Sequence, residues 1–218
     1  NKTEIGNYTI LHHTDLSPEF EARFSAMDKS LQKSELYDAD FKVKICLNDG
    51  SLYPELMEKL RGPAFGWGFH NIAVFRGAFD YQDNAVTLNG YKWNLEHLIA
   101  HEVTHCLQFN AFGFFGANPM AGHPHWKWEG YPEYVARKND EQSLHESIKR
   151  LKQAQKESPD SWGVFFDDGT ISPKTYYEDW LLAWYCLEIK SMSYRELLSC
   201  ELSKEEAQQE METWYQGL

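Results

Sequence analysis
The chain has 218 residues, 42% of them hydrophobic and 15% aromatic, enough to bury a core and too apolar for a disordered segment. Its formal net charge of −12 makes nucleic acid and anionic membrane surfaces poor partners. No run of about 18 apolar residues occurs, so no membrane span is expected. Cys46, Cys106, Cys186 and Cys200 form neither a C-x-x-C pair nor a dense framework and read as packing thiols, although Cys186 and Cys200 could pair. The chain begins at Asn1 rather than Met, and the expectation is an extracytoplasmic protein, secreted or membrane-anchored, whose export segment is missing from this chain. A cytoplasmic location is the alternative.

In chain order, Tyr8 to His12 reads as a short strand. Ser17-Pro18-Glu19 opens a helix, with serine as cap, proline in the first turn and an apolar face of Phe20, Phe24, Met27 and Leu31. Phe41 to Leu47 alternates as a half-buried strand should. A short helix around Pro54 to Leu60 is broken by Gly62-Pro63. Strands follow at Asn71 to Phe75 and Ala85 to Leu88. Asn94 is an N-cap candidate for a helix carrying Leu95, Leu98, Ile99, Val103 and Leu107. Phe112 to Pro119 reads as a glycine-aromatic loop continuing through Gly122-His123-Pro124-His125. From Ser143 the chain is helical: a solvated helix with Leu144, Ile148 and Leu151 on its buried stripe, then a turn-rich connection over Trp162 to Pro173. A long aromatic helix over Tyr176 to Leu198 and a last helix opened by the capping box Ser203-Lys204-Glu205-Glu206 complete the pattern.

The chemistry concentrates in His101-Glu102-Val103-Thr104-His105, an H-E-x-x-H motif. Histidines at i and i+4 share one face of a helix, so both imidazoles reach one zinc ion, and the glutamate lies beside the metal's open position. The alternative is a pair of hydrogen-bonded core histidines. A catalytic zinc site needs a third protein ligand. The branch H-E-x-x-H-x-x-G-x-x-H is excluded, because Gln108 stands at the glycine position and Ala111 at the last histidine position. The other branch takes a glutamate from a second helix, and Trp126 to Ala136 supplies one, far enough from His105 for the chain to turn and return antiparallel.

With Trp-x-x-Glu-Gly-x-x-Glu-Tyr over Trp126 to Tyr134, the motif resembles the gluzincin clan of zinc metallopeptidases, and most of all its compact peptidase MA-like members with W-x-x-E-G-x-A-E-Y. The resemblance covers roughly residues 84 to 136 well and the rest only in general layout. It implies that Glu129 is the third zinc ligand and that Glu133 hydrogen-bonds a zinc-binding histidine; if Glu133 were the direct ligand, the site chemistry would survive with the roles exchanged. It also implies an edge strand near the metal helix for extended substrate, a role open to either Asn71–Phe75 or Ala85–Asn89. The chain departs from the pattern at Pro132, which replaces the usual alanine and places Glu129 near a helix start, and in lacking the aminopeptidase signature G-x-M-E-N.

The expected fold is α+β and zincin-like: one catalytic domain over 1–218, with a small mixed sheet in an N-terminal part (about 1–93) and a mainly helical part (about 94–218) opened by the metal helix. The expected function is hydrolysis of peptide bonds in a peptide or protein substrate, using Zn2+ held by His101, His105 and Glu129, a zinc-activated water, and Glu102 as general base. Tyr176, Tyr177 and His123 are candidates to stabilise the oxyanion, as is His125. His123 and His125 are also weighed as metal ligands, and solvated or substrate-binding roles suit them better. The competing readings are a non-catalytic or latent zincin-fold domain that binds a peptide or protein partner, and hydrolysis of a non-peptide amide or ester.

Overall fold
The computed structural model describes residues 1–13, 15–47 and 52–217, and only the backbone of Arg61. The fold is α+β, with small sheets in the N-terminal part and helices after it. A hairpin of β1 (Lys2–Ile5) and β2 (Tyr8–Leu11) opens the chain. Helix α1 (Pro18–Leu31) has Ser17 as N-cap, Pro18 in its first turn, and Phe20, Phe24, Met27 and Leu31 buried, as the pattern predicts. It crosses over to β3 (Val43–Cys46), where Val43 and Ile45 point into the core and Lys44 points out. Helix α2 (Tyr53–Arg61) leads to the antiparallel pair β4 (Gly66–Phe69) and β5 (Ile72–Phe75). These strands form one mixed sheet of order β1-β2-β3-β5-β4. Strands β6 (Ala78–Asp80), β7 (Ala85–Leu88) and β8 (Tyr91–Asn94) form a separate antiparallel meander.

Helix α3 (Leu95–Gly116) starts where expected, with the Asn94 side chain accepting from the His97 N–H at 3.0 Å. It runs further than expected: residues read as loop continue it, and the break comes at Gly113, whose φ of 69° and ψ of 176° leave the helical region. Helix α4 (His125–Ala136) returns beside it. The remaining elements are α5 (Leu144–Glu157), the hairpin β9 (Gly163–Phe165) and β10 (Ile171–Pro173), α6 (Lys174–Trp184) ending in a π-helical turn at Tyr185–Ile189, α7 (Tyr194–Ser199) and α8 (Lys204–Gln216). The single long helix expected over Tyr176 to Leu198 is two: Ser191 takes a φ of 56°, and Ser193 with Glu196 forms a capping box that starts α7.

Two further expectations are corrected. Strand β5 lies between β3 and β4, and β7 between β6 and β8, so neither has a free edge; the edge strand against the metal helix is β4. Pro132 lies well inside α4, not in its first turn, and Glu129 follows a full turn of helix. The four cysteines form no disulfide. Buried side chains form one cluster from Tyr8 and Ile10 to Ala207 and Met211, with α3 and α4 inside it. No helix among the described residues is long and apolar enough to cross a membrane.

Candidate metal centre
Every side chain of α3 from Leu98 to Phe109 is buried, including His101, Glu102 and His105. Buried imidazoles and carboxylates cost free energy unless each finds a partner, so their partners define the site. Strand β4 crosses α3 at backbone distance. A Cβ on Gly66 would lie 2.7 Å from Glu102 Cγ, and one on Gly68 would lie 2.0 Å from the Glu102 carbonyl oxygen and 2.8 Å from His105 Cβ. Only glycine permits that approach at both positions. On the other side, α4 packs against α6 through Gly130, where a Cβ would meet the Asp179 carbonyl oxygen at 2.4 Å. This contact brings Glu129 over the face of α3.

His101 Nε2, His105 Nε2 and Glu129 Oε2 converge. Their separations are 3.1 Å between the two nitrogens, 3.2 Å from His105 to Glu129 and 3.4 Å from His101 to Glu129. A tetrahedral ion with ligands at ~2.0–2.1 Å spaces its donor atoms about 3.3 Å apart, so the triangle has the right size for one.

The protons agree. Pro132 has no N–H, so it cannot bond the carbonyl of Trp128 one turn earlier. That carbonyl instead accepts from Gln108 Nε2 at 2.9 Å, which also donates to Tyr194 Oη at 2.6 Å. A carbonyl only accepts, so the amide orientation of Gln108 is decided, and its Oε1 faces His105 Nδ1 at 2.7 Å. In its neutral form His105 therefore carries its proton on Nδ1 and turns the Nε2 lone pair to the cluster. Behind His101, Glu133 Oε1 lies 3.0 Å from Nδ1, a charge contact with imperfect hydrogen-bond alignment that favours the same tautomer. Two lone pairs and a carboxylate oxygen thus face one point, and the His101, His105 and Glu129 cluster can hold a metal ion.

Electrostatics follow. Burial opposes charge on His101, but the Glu129 and Glu133 carboxylates outweigh it and raise its pKa well above the usual imidazole value. His105 is raised too, with burial opposed chiefly by the Glu129 charge. Burial alone would lift the carboxyl of Glu129, yet the two histidines hold it well below the ordinary range. For Glu133, burial is outweighed by His101 and Arg137, and its pKa lies at about 2. Metal-free, the site draws protons to its imidazoles, the charge a cation would supply. Glu102 differs: burial raises its carboxyl, with the neighbouring histidines and a hydrogen bond from the Gly68 N–H only partly offsetting that.

The cluster opens onto a cleft of about 630 Å³ that Tyr176 also lines. The Tyr176 ring is 5.9 Å from that of His101, and burial plus the carboxylates of Glu129 and Glu102 keep its hydroxyl protonated by raising its pKa. Tyr177 and His123 are placed elsewhere. Tyr177 is fully buried, its hydroxyl 3.4 Å from the Ser147 carbonyl, and its ring helps box the Arg137 guanidinium with Trp180 and Phe166. His123 stacks on Trp128 at 5.5 Å with Nε2 3.1 Å from the Gly116 carbonyl, which pins the loop rather than reaching the cleft. His125 is held by Asp179 at 2.8 Å, with its ring edge-on to Tyr176 at 5.5 Å, and it is not part of the cluster.

Sequence reasoning used Gln108 only to exclude a motif and missed its role. It also missed Arg137, Gly66 and Gly68. The G-x-G spacing before the motif was visible, and a helical proline must free a carbonyl; neither signal names the partner. A scan against protein-family models and a search of curated proteins find no match for the chain.

Proposed function
We propose that this chain is a zinc-dependent metallopeptidase of the gluzincin type, with a peptide or protein as substrate. The observation that carries the reading is the convergence of His101 Nε2, His105 Nε2 and a Glu129 carboxylate oxygen beside a buried carboxylate that is not one of them. A site that only held a metal would have no use for Glu102. Bound zinc would supply a Lewis acid and a water acidified to a pKa of ~7. His101, His105 and Glu129 are the residues that hold it.

Glu102 is the base. Its raised pKa suits it to take a proton from the attacking water and to hand it to the departing amine nitrogen as the C–N bond breaks. The water oxygen ends in the new carboxyl group. Tyr176, which lines the cleft beside His101 and stays protonated, serves as the donor to the oxyanion that forms on the carbonyl carbon's oxygen. Strand β4 supports the substrate backbone. The Arg76 N–H donates to the Phe65 carbonyl, so by antiparallel alternation Trp67 and Phe69 turn their backbone groups to β5, while Gly66 and Gly68 turn theirs to the other edge, where the Gly68 N–H donates to Glu102 and Gly66 faces the cleft. An extended peptide can pair there.

The test is Glu102→Gln. We expect hydrolysis of a diverse peptide library to fall by roughly 10²–10⁴-fold or more with zinc content unchanged. Full activity in that variant would remove the mechanism. A zinc-loaded wild-type protein that cleaves no peptide would leave a binding domain.

A further inference from the structure
The wall of the cleft is unlike the rest of the molecule. The chain carries 21 Lys and Arg and 33 Asp and Glu, yet the only charged side chains among the described residues lining the cleft are Glu102 and Glu129. The other titratable groups there are His101, His105 and Tyr176, all part of the metal centre or against it. Apart from Asn118, whose amide is bonded to the His123 backbone, the remaining side chains of the wall are aromatic and aliphatic, among them Phe65, Trp67 and Phe69 from the β4 side, Trp93 from β8, Phe109 from α3, and Trp162 at the rim. Several are held by one another. Phe65 stacks on Trp93 at 4.6 Å, Phe69 meets Phe109 edge-on at 4.7 Å, and the half-exposed Trp162 is braced edge-on by Tyr91 at 4.7 Å. The wall is therefore a standing surface rather than a collapse of loose side chains.

A cleft of this composition selects by what it cannot stabilise. A carboxylate or ammonium that leaves water for an aromatic wall without a counter-charge loses hydration that nothing replaces. An apolar side chain gains from the same transfer. The argument covers chain ends as well as side chains. An enzyme that trims termini needs a fixed charge for the free α-amino or α-carboxylate group. Among the described residues, Glu102 and Glu129 are the only fixed charges in the wall, and both are committed to the metal centre.

Resting on the metallopeptidase reading, we infer that this is an endopeptidase-type cleft for internal bonds flanked by aromatic or large aliphatic side chains, with charged residues and free termini excluded. The occupant is an extended apolar stretch of polypeptide, lying along the cleft-facing edge of β4 with its side chains against the tryptophan and phenylalanine wall.

The experiment uses zinc-loaded protein and one family of peptides, acetylated and amidated at their ends, whose central pair is Phe-Leu, Asp-Glu or Lys-Arg. A fourth peptide is the Phe-Leu sequence with free termini next to that pair. With the wild type, cleavage of blocked Phe-Leu should exceed that of either charged peptide by at least ~100-fold, and free termini should reduce it. With Glu102→Gln, which binds without turnover, tryptophan fluorescence should report binding of blocked Phe-Leu and none of the charged peptides. Trp162→Lys, at an exposed rim position where folding is little at risk, should raise cleavage and binding of Asp-Glu relative to Phe-Leu by ~10-fold. Preference for a charged pair or for a free terminus, or no binding of blocked Phe-Leu, would overturn the inference. Binding of that peptide to Glu102→Gln without wild-type cleavage would overturn the peptidase reading while the cleft's selectivity stands.

Discussion
The two histidines of one motif are supported in opposite ways. Behind His101 lies a chain of charge: Glu133 at 3.0 Å, then Arg137 at 3.1 Å from Glu133, then Asp140, which Arg137 approaches at 3.9 Å and His97 at 3.0 Å. Behind His105 lies a neutral chain: Gln108, the Trp128 carbonyl freed by Pro132, and the hydroxyl of Tyr194, whose ring stacks on that of Tyr131 at 3.7 Å. Both fix the same tautomer. The charged side raises the basicity of its imidazole and depends on ionisation. The neutral side depends on one amide orientation and on a proline that keeps a helical carbonyl available. Residues one turn apart thus face different risks from substitution.

That contrast can be broken, beginning where the effect is largest. Glu129→Ala removes a donor shared by both histidines and should weaken zinc affinity by more than ~100-fold, beyond the 10–100-fold range of outer partners. Competition with a chromogenic chelator measures it, and unchanged affinity would take Glu129 out of the site. Glu133→Ala comes next. It leaves the buried Arg137 without its carboxylate, at a cost of about 3–5 kcal/mol in urea unfolding, and weakens zinc by ~10–100-fold. Gln108→Leu should weaken zinc over a similar range with a smaller stability loss, because a buried carbonyl and hydroxyl, not a charge, lose their partner. If the two variants matched in both readouts, the distinction between a charged and a neutral support would fail. Pro132→Ala restores an N–H that competes with Gln108 for the Trp128 carbonyl. Zinc should weaken only a few-fold, by less than ~1 kcal/mol, while the helix itself is no less stable.

The smallest effect belongs to His125, a histidine–carboxylate pair outside the metal set. The hydrogen bond that His125 donates to the Asp179 carboxylate raises its pKa against partial burial. A folded pKa above the unfolded value contributes stability that is fully present below about 6.5 and is lost as pH rises through the folded value. His125→Ala should therefore be mildly destabilising at pH 5.5 and close to neutral at pH 9. Its side chain is half exposed, so the contribution is at most a fraction of ~1 kcal/mol. Equal destabilisation at both pH values would count against the charged pair.

Much of this was legible in the sequence where a local rule applied. Ser17, Asn94 and Ser203 cap helices as read, and the buried faces of α1 and α5 follow their periodicity. The His101, His105 and Glu129 cluster was legible through spacing and resemblance, because i and i+4 fixes a helical face. What stayed hidden depends on distant partners. Strand β4 is short and half glycine, so it has no alternation to detect, and its place is set by how closely α3 lets it approach. Pro132 argued for a helix start because the donor that rescues its missing hydrogen bond lies on another helix. Tyr176 and Tyr177 are adjacent and chemically alike, and only packing sends one to the cleft and the other to the Arg137 box.

The central claim is that one zinc ion sits among His101, His105 and Glu129. Anomalous diffraction from crystals of the zinc-loaded protein, recorded on both sides of the zinc edge, tests it most directly. The account predicts a single strong peak about 2.0–2.2 Å from His101 Nε2, His105 Nε2 and a Glu129 carboxylate oxygen, with Glu102 and Glu133 outside that distance. A peak bound by Glu133 in place of Glu129, or no peak between the two histidines, would contradict it.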